Sequence, residues 1–313
     1  MSYQRLAVPA AFAVIYLVWG STYLAVSLAL TSIAPFMLMG SRSLAGGCLL
    51  FAAAWFSRHI DRCGWARAGL CGVLLFVGCH GTLAYAQQRV SSGMAAVLLA
   101  TIPFWIALIG ALLPGGKRLR MTQLALLGVG LVGVVFIVMG HDNGAAGAPH
   151  YIEIGMLLGS ALSWAVGSIL SERWSPPGQE VAFAGIALLA GGTVLMIMSA
   201  LRGEIQSFDA GALSYQAMAA WLYLTLAGTV LAFAAYSWLL KQVPAALVAT
   251  YTFVNPLIAL LLGWAVLGEQ VGMKMALGAA LVTVSVVGLL IGREKTASRK
   301  EQPMPVPAAR LRA

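Results

Sequence analysis

Two ionisable side chains stand inside long apolar stretches, Arg42 in "FMLMGSRSLAGG" and His80 in "LLFVGCHGTLAY". A guanidinium presents a planar fork of donors that fits a carboxylate, and an imidazole can donate, accept or titrate near neutral pH. Both residues are therefore candidates for contact with a polar substrate. Two structural alternatives stay open: Arg42 could extend to the nearest membrane surface, and His80 could bond only to a neighbouring helix.

Aromatic side chains and one amide lie in similar stretches. Aromatic faces suit planar or aliphatic compounds, and a tryptophan face also holds an ammonium group. As alternatives, aromatic residues can mark the edges of a membrane, and Asn255 can bond a neighbouring backbone instead of a substrate. The predicted substrate-binding residues are Trp19, Tyr23, Arg42, His80, Tyr85, Trp105, Trp164, Tyr251 and Asn255.

Two apolar stretches carry a proline near their centre, "AAVLLATIPFWIALIG" with Pro103 and "VATYTFVNPLIALLLG" with Pro256. A proline inside a helix removes a backbone hydrogen bond and weakens the helix locally. We predict that these two residues act as hinges in broken helices near a binding site. The structural alternative is that both prolines only kink helices so that they pack.

The motifs that several kinds of chemistry require are missing from these stretches. The stretches contain no aspartate pair, no H-E-x-x-H, no G-x-S-x-G and no P-loop, and the four cysteines have no zinc spacing. We therefore predict no catalytic residue, no metal and no cofactor, and a protein that is not an enzyme. An intramembrane enzyme, or a membrane receptor without transport activity, is the alternative function.

The composition is that of a membrane protein. Of 313 residues, 60% are hydrophobic and 9% charged, and the mean hydropathy is +0.88, whereas a soluble domain carries about 25% charged residues. Stretches of about 20 apolar residues can cross a bilayer. Ten such spans are predicted, at residues 8–30, 35–57, 68–88, 93–113, 122–140, 153–171, 181–201, 215–239, 246–267 and 273–292.

Basic residues orient these spans. With the N-terminus in the cytoplasm, fifteen of the 19 Lys and Arg residues lie on the cytoplasmic side, and only Arg89, Arg202 and Lys274 lie outside. This asymmetry follows the positive-inside rule, so both termini are predicted to be cytoplasmic. The net charge of +9 is thereby explained without a nucleic-acid partner.

The two halves of the chain are related. A shift of 153 residues places Val243, Ala249, Pro256 and Gly263 on Val90, Ala96, Pro103 and Gly110. Because each half has five spans, an odd number, the second must enter the membrane from the opposite side, as in many secondary transporters. We predict a first repeat at 1–140, a connecting periplasmic loop at 141–152, a second repeat at 153–292 and a disordered basic cytoplasmic tail at 293–313.

Five motifs carry a family resemblance: "VWGSTYLA", "MGSRSLAGG", "SSGMAAVLLATIPF", "LSWAVGS" and "PAALVATYTFVNPLIALLLGWAVLGE". They resemble the drug/metabolite transporter superfamily, and most closely its ten-helix bacterial exporters with two EamA repeats. The resemblance covers nearly the whole chain up to about residue 292. It implies an all-α membrane protein with ten helices around a central cavity, in the bacterial inner membrane, exporting amino acids, related metabolites or drugs.

Transport by alternating access of two inverted repeats is the predicted mechanism. The partners are then a small-molecule substrate and the lipid bilayer, and we expect the chain to act as a monomer. No Asp or Glu lies in the middle of a span, and a proton pump needs a buried titratable group. Facilitated diffusion or weakly proton-linked exchange is therefore favoured, with His80 as the one well-placed titratable group.

Overall fold

The computed structural model describes residues 2–54, 62–113, 121–140 and 151–301, and these segments are helical, with no strand among them. Ten helices follow one another in this part of the chain. They are α1 (Ser2–Ala29), α2 (Pro35–Ala53), α3 (62–86), α4 (92–112), α5 (Met121–Gly140), α6 (Tyr151–Trp174), α7 (Glu180–Leu201), α8 (215–242), α9 (245–267) and α10 (Met273–Glu301).

The chain is an all-α membrane protein. Seven of the described helices, α1 to α4 and α6 to α8, are long and apolar enough to cross a bilayer. The apolar parts of α5, α9 and α10 are shorter. Residues 141–150 of the predicted connecting loop at 141–152 lie outside the described residues, and residues 151–152 belong to α6.

Two helices change winding along their length. A π-helical segment interrupts α3 and another interrupts α8, and the hydrogen bonds of such segments span one residue more than those of an α-helix. The parts of α3 are Arg62–Gly72, Val73–Gly81 (π) and Thr82–Ala86, and those of α8 are Tyr215–Tyr223, Leu224–Leu231 (π) and Ala232–Gln242.

Two other helices are broken, at positions that differ from a simple proline kink. In α4 the break separates Ser92–Leu99 from Ile102–Leu112, so Pro103 stands in the first turn of the second part, where its missing N–H has no helical partner to lose. In α9 the break separates Ala245–Val248 from Tyr251–Leu267, and Pro256 stays inside the longer part.

The last helix is longer than predicted. The structure continues α10 as far as Glu301, whereas the sequence predicts a disordered tail from residue 293. Residues 293–301 include neither glycine nor proline and contain several good helix formers, so the helix continues past its apolar part. The remaining tail, 302–313, lies outside the described residues.

The helices of the two predicted halves pack against each other in reciprocal pairs. The most extensive contacts join α2 to α7 and α5 to α10, which are equivalent helices of the two halves. In the same way α1 packs on α8 and α9, and α6 packs on α3 and α4. This exchange of equivalent contacts is what an internal two-fold axis produces.

Candidate functional site

A small cavity lies at the centre of the bundle, between the two halves. Seven helices contribute to its wall, three from the second half and four from the first. Its volume is about 40 Å³, which has room for only a few water molecules. The lining residues are Trp19, Thr22, Tyr23, Arg42, Cys79, His80, Leu83, Leu99, Ile102, Trp164, Gly228, Tyr251 and Asn255.

Aromatic rings form one wall of the cavity. The ring of Trp19, on α1, is 5.6 Å from that of Trp164 on α6, 5.0 Å from that of Tyr236 on α8 and 4.7 Å from that of Tyr251 on α9. These centroid separations are typical of favourable aromatic pairs. Trp19 and Trp164, both predicted to bind substrate, therefore meet edge to face.

A cation and an imidazole form another part of the lining. Arg42 is 4% exposed, and its Nη2 lies 3.0 Å from His80 Nδ1. Because arginine only donates, Nδ1 must accept and the proton of a neutral imidazole sits on Nε2. The ring of His80 also packs at 5.1 Å from that of Trp164. Of the two alternatives for Arg42, the structure shows the buried position in the cavity.

The two π-helical segments supply backbone and side chains to the same place. Cys79 and His80 come from the segment in α3, and Gly228 comes from the segment in α8. Trp19 Nε1 donates to the carbonyl of Gly228 at 3.0 Å. In the other half, Ser160 Oγ on α6 donates to the carbonyl of Cys79 at 3.2 Å. The first helix of each half thus bonds the π segment of the other.

Polar residues near the break in α9 complete the lining. Asn255 is 2% exposed, and its Oδ1 has no hydrogen-bond partner among the described residues. Tyr23 interacts with the Asn255 side chain. The break in α4 contributes Leu99 and Ile102, on either side of the interruption. Both breaks therefore open onto the cavity.

Two predicted residues lie elsewhere. Tyr85 stacks on Phe36 at 5.8 Å and has the Arg202 guanidinium 5.2 Å from its ring centre, near the ends of α3 and α7. Trp105 packs against Phe104, and its Nε1 is buried without a partner among the residues that the structure describes. Neither residue is part of the lining.

Several residues of the site were not predicted. Tyr236 packs against Trp19 without lining the cavity and donates to Ser168 Oγ at 2.6 Å. Thr22, Cys79 and Gly228 line the cavity itself. Cys79 and Thr22 neighbour His80 and Tyr23 in the sequence, which could have indicated them. No local pattern indicates Gly228, because its contribution is a backbone carbonyl that accepts from Trp19, which lies 209 positions away in the chain.

Glutamates of the second half bond to the first half at one end of the bundle. Glu269 accepts from Ser92 N (2.8 Å) and Ser92 Oγ (2.9 Å), Glu204 accepts from Met37 N (2.9 Å), and Glu153 pairs with Arg89 at 3.3 Å. We call Glu153, Glu204 and Glu269 the inter-repeat glutamates. Two of them meet the first turns of α2 and α4, where free backbone N–H groups favour an anion.

Two glycines near Glu269 explain how its side chain reaches α4. Gly268 ends α9 in the left-handed conformation, with φ 66°, which is accessible to glycine at little cost. Gly263 lies directly below: a Cβ there would overlap Glu269 Oε2 and come within 2.8 Å of Ser92 Oγ. Both positions therefore require glycine for this contact.

Comparison with known proteins places the chain in a family. The profile of the EamA-like transporter family matches the chain twice, at residues 8–139 and 151–291. The chain belongs to the EamA-like transporter family. The resemblance predicted from the five motifs is thereby confirmed, and the family is one of transporters rather than enzymes.

Individual relatives are similar in sequence to this chain along nearly their whole length. The chain is 33% identical over 282 residues to "Uncharacterized inner membrane transporter YedA" of Escherichia coli (strain K12), covering 89% of each chain. It is 26% identical to "Uncharacterized transporter YoaV" of Bacillus subtilis (strain 168), covering 85% of this chain and 90% of YoaV. A crystal structure with 21% identity aligns over 94% of this chain and 98% of its own with a TM-score of 0.65, which shows the same fold.

Proposed function

We propose that this family member is a secondary transporter of the bacterial inner membrane that exports small metabolites by alternating access. Amino acids, aromatic ones among them, and related compounds or drugs are the candidate substrates. One observation carries the proposal: buried polar and aromatic side chains of both halves line a single cavity between them. Binding sites of transporters built from inverted repeats lie at this kind of interface.

The predicted orientation in the membrane indicates which side of the protein is closed in this structure. With both termini cytoplasmic, α2, α4 and α6 begin at the periplasmic side, so the inter-repeat glutamates lie at the outer end. Their bonds join the two halves there. The outer side is then closed, and opening it requires these contacts to break.

The substrate contacts follow from the lining. Trp19, Trp164 and Tyr251 would hold the body of the substrate, and Arg42 and Asn255 its polar groups, with Tyr23 and His80 beside them. Pro103 and Pro256 would act as hinges. Each lies in a helix that is broken, and the break of each of these helices faces the cavity.

Transport by the purified, full-length protein in proteoliposomes tests the proposal. A panel of amino acids, sugars and drugs is measured with and without a pH gradient. Trp164→Ala should lower the flux of every accepted compound about tenfold, because an aromatic contact plus its buried area is worth about 1.5 kcal/mol or more. Trp264→Ala is the matched control, since Trp264 is 62% exposed and should leave the flux unchanged.

Absence of flux for the whole panel would contradict the transport function. Equal loss of flux in the Trp164 and Trp264 variants would instead contradict the location of the site.

A further inference from the structure

Arg42 is a buried cation with no carboxylate against it in the described part of the chain. Its guanidinium is permanently charged, and the residue is 4% exposed. The ion pair that the structure records among these residues is Arg89 with Glu153, at the end of the bundle. A buried charge without a counter-ion is costly, so a negative partner would stabilise it.

The guanidinium also has donors to spare. One of them, on Nη2, is directed at His80 Nδ1, and that imidazole offers a lone pair but no negative charge. Arg42 Nε has no hydrogen-bond partner in the residues described. Arg42 lines the cavity, so a bound oxyanion can accept from the donors that remain.

The remaining lining favours an apolar body and offers nothing acidic. Among the residues around the cavity there is no Asp or Glu. Trp19, Trp164 and Tyr251 supply ring faces instead. A primary ammonium group would therefore have aromatic faces as its partners, whereas it would also be repelled by Arg42 in a site of this size.

We propose that the cavity selects small organic anions, compounds with one carboxylate or comparable oxyanion on a flat apolar body. The inference rests on the proposed transport function and narrows its substrate class. Arg42 binds the oxyanion and the aromatic wall binds the body when the halves move apart, because the cavity of the present state holds only a few water molecules. Zwitterions such as amino acids fit less well than monoanions, and amines are excluded.

The charge of the substrate has a consequence for the driving force. Because Arg42 stays with the protein, each transport cycle moves one net negative charge. An inside-negative membrane potential therefore drives the export of the anion, and 100 mV supports a concentration ratio of about 50. This driving force needs no proton and so no carboxylate in the middle of a span.

A matched series of probes tests the charge selection. Phenylacetate, phenylacetamide and phenethylamine share the aromatic body and carry charges of about −1, 0 and +1 at neutral pH. Their affinities are measured from the rise in melting temperature of the full-length protein in detergent. We expect phenylacetate to bind about 10- to 100-fold more tightly than phenylacetamide, the range for a charge-assisted hydrogen bond, and phenethylamine not to bind.

Variants of Arg42 test whether this residue causes the preference for the anion. Arg42→Gln should lose the advantage of phenylacetate over phenylacetamide, because the glutamine amide can donate to either compound but carries no charge that favours the anion. If Arg42→Gln does not fold, Arg42→Lys keeps the charge and should retain the preference for the anion. Equal binding of acid and amide by the wild-type protein, or no binding of the acid, would overturn the inference, as would a preference that survives Arg42→Gln.

Flux measurements separate this inference from the transport function. In proteoliposomes with an imposed potassium diffusion potential, phenylacetate flux should follow the sign of the potential and phenylacetamide flux should not. Transport that ignores both substrate charge and potential would overturn the anion inference and leave the transport function standing. Selective binding of phenylacetate without flux of any compound would overturn the transport function and support the anion site.

Discussion

Removing the carboxylate of Glu269 should open the outer side of the protein. Glu269 Oε1 accepts from the backbone N–H of Ser92, and Oε2 accepts from Ser92 Oγ and, at 3.3 Å, from the N–H of Gly93. All three donors belong to the first turn of α4 in the other half of the molecule. The substitution Glu269→Ala removes these bonds from the closed state only, since they cannot form once the halves separate there.

The size of the effect follows from those bonds. A hydrogen bond to a charged group contributes about 1.5–3 kcal/mol when buried, and an anion at a helix N-terminus adds about 0.3–1 kcal/mol. Glu269 is only half-buried, and water replaces part of what the open state loses. We therefore take about 2–3 kcal/mol for all three bonds together, which multiplies the open population about 30- to 160-fold.

Cys79 offers a natural reporter of this opening, because it lines the cavity and is 1% exposed. In a background where Cys48, Cys63 and Cys71 are replaced by alanine, a membrane-impermeant thiol reagent is added to the periplasmic side. If the open state is a minor population, the labelling rate is proportional to it. The rate should then rise about 30- to 160-fold in Glu269→Ala and less in Glu269→Gln, which keeps one acceptor oxygen.

A glutamate within a single half serves as the control. Glu180 accepts from the N–H of Gly178, two residues away, so Glu180→Ala should leave the labelling rate of Cys79 unchanged. An unchanged rate in Glu269→Ala would refute the reasoning that this carboxylate holds the outer side closed. So would an equal increase in the Glu180 variant.

Further substitutions test other contacts of the same structure. Gly263→Ala should raise Cys79 labelling as Glu269→Ala does, because its Cβ would displace Glu269 from Ser92; labelling at the wild-type rate would contradict the proposed close fit. Trp19→Phe keeps an aromatic ring but leaves the Gly228 carbonyl without its donor, so the free energy of unfolding should fall by about 1–3 kcal/mol. Thermal unfolding in detergent measures this loss against Trp264→Phe, whose ring is exposed, and equal melting temperatures would contradict it.

The helices could be predicted to within a few residues because their signal is local. Each of the ten stretches carries enough consecutive apolar residues to be recognised from composition alone. The far end of α10 was missed, since the helix continues over polar residues to Glu301. The apolar pattern stops before residue 293. The residues that follow, as far as Pro303, still favour a helix and include no proline.

The site could be predicted in part, for a related reason. Arg42, His80 and Asn255 stand out because a polar side chain in an apolar stretch is costly unless it is used. Tyr85 and Trp105 have the same residue types as the lining aromatics, yet they point elsewhere. Residue type indicates what a side chain can do, whereas its direction depends on the packing of its helix.

The breaks in α4 and α9 show the same division. Both helices that carry the prolines are interrupted in the structure, although neither interruption coincides with the N–H that the proline lacks. The place of the interruption was not indicated: it precedes Pro103 directly, but in α9 it lies at residues 249–250, well before Pro256.

The sequence by itself determined that the chain lies in a membrane, that its helices form two related halves and that a few costly polar residues stand between apolar ones. These properties reside in composition, spacing and repetition, which are readable along the chain. Only the tertiary structure decided that Arg42 meets His80, that Trp19 donates to the Gly228 carbonyl and that Glu269 reaches Ser92 across 177 positions. Such contacts join residues far apart in the chain, so their free energy depends on how whole helices pack and leaves no local pattern.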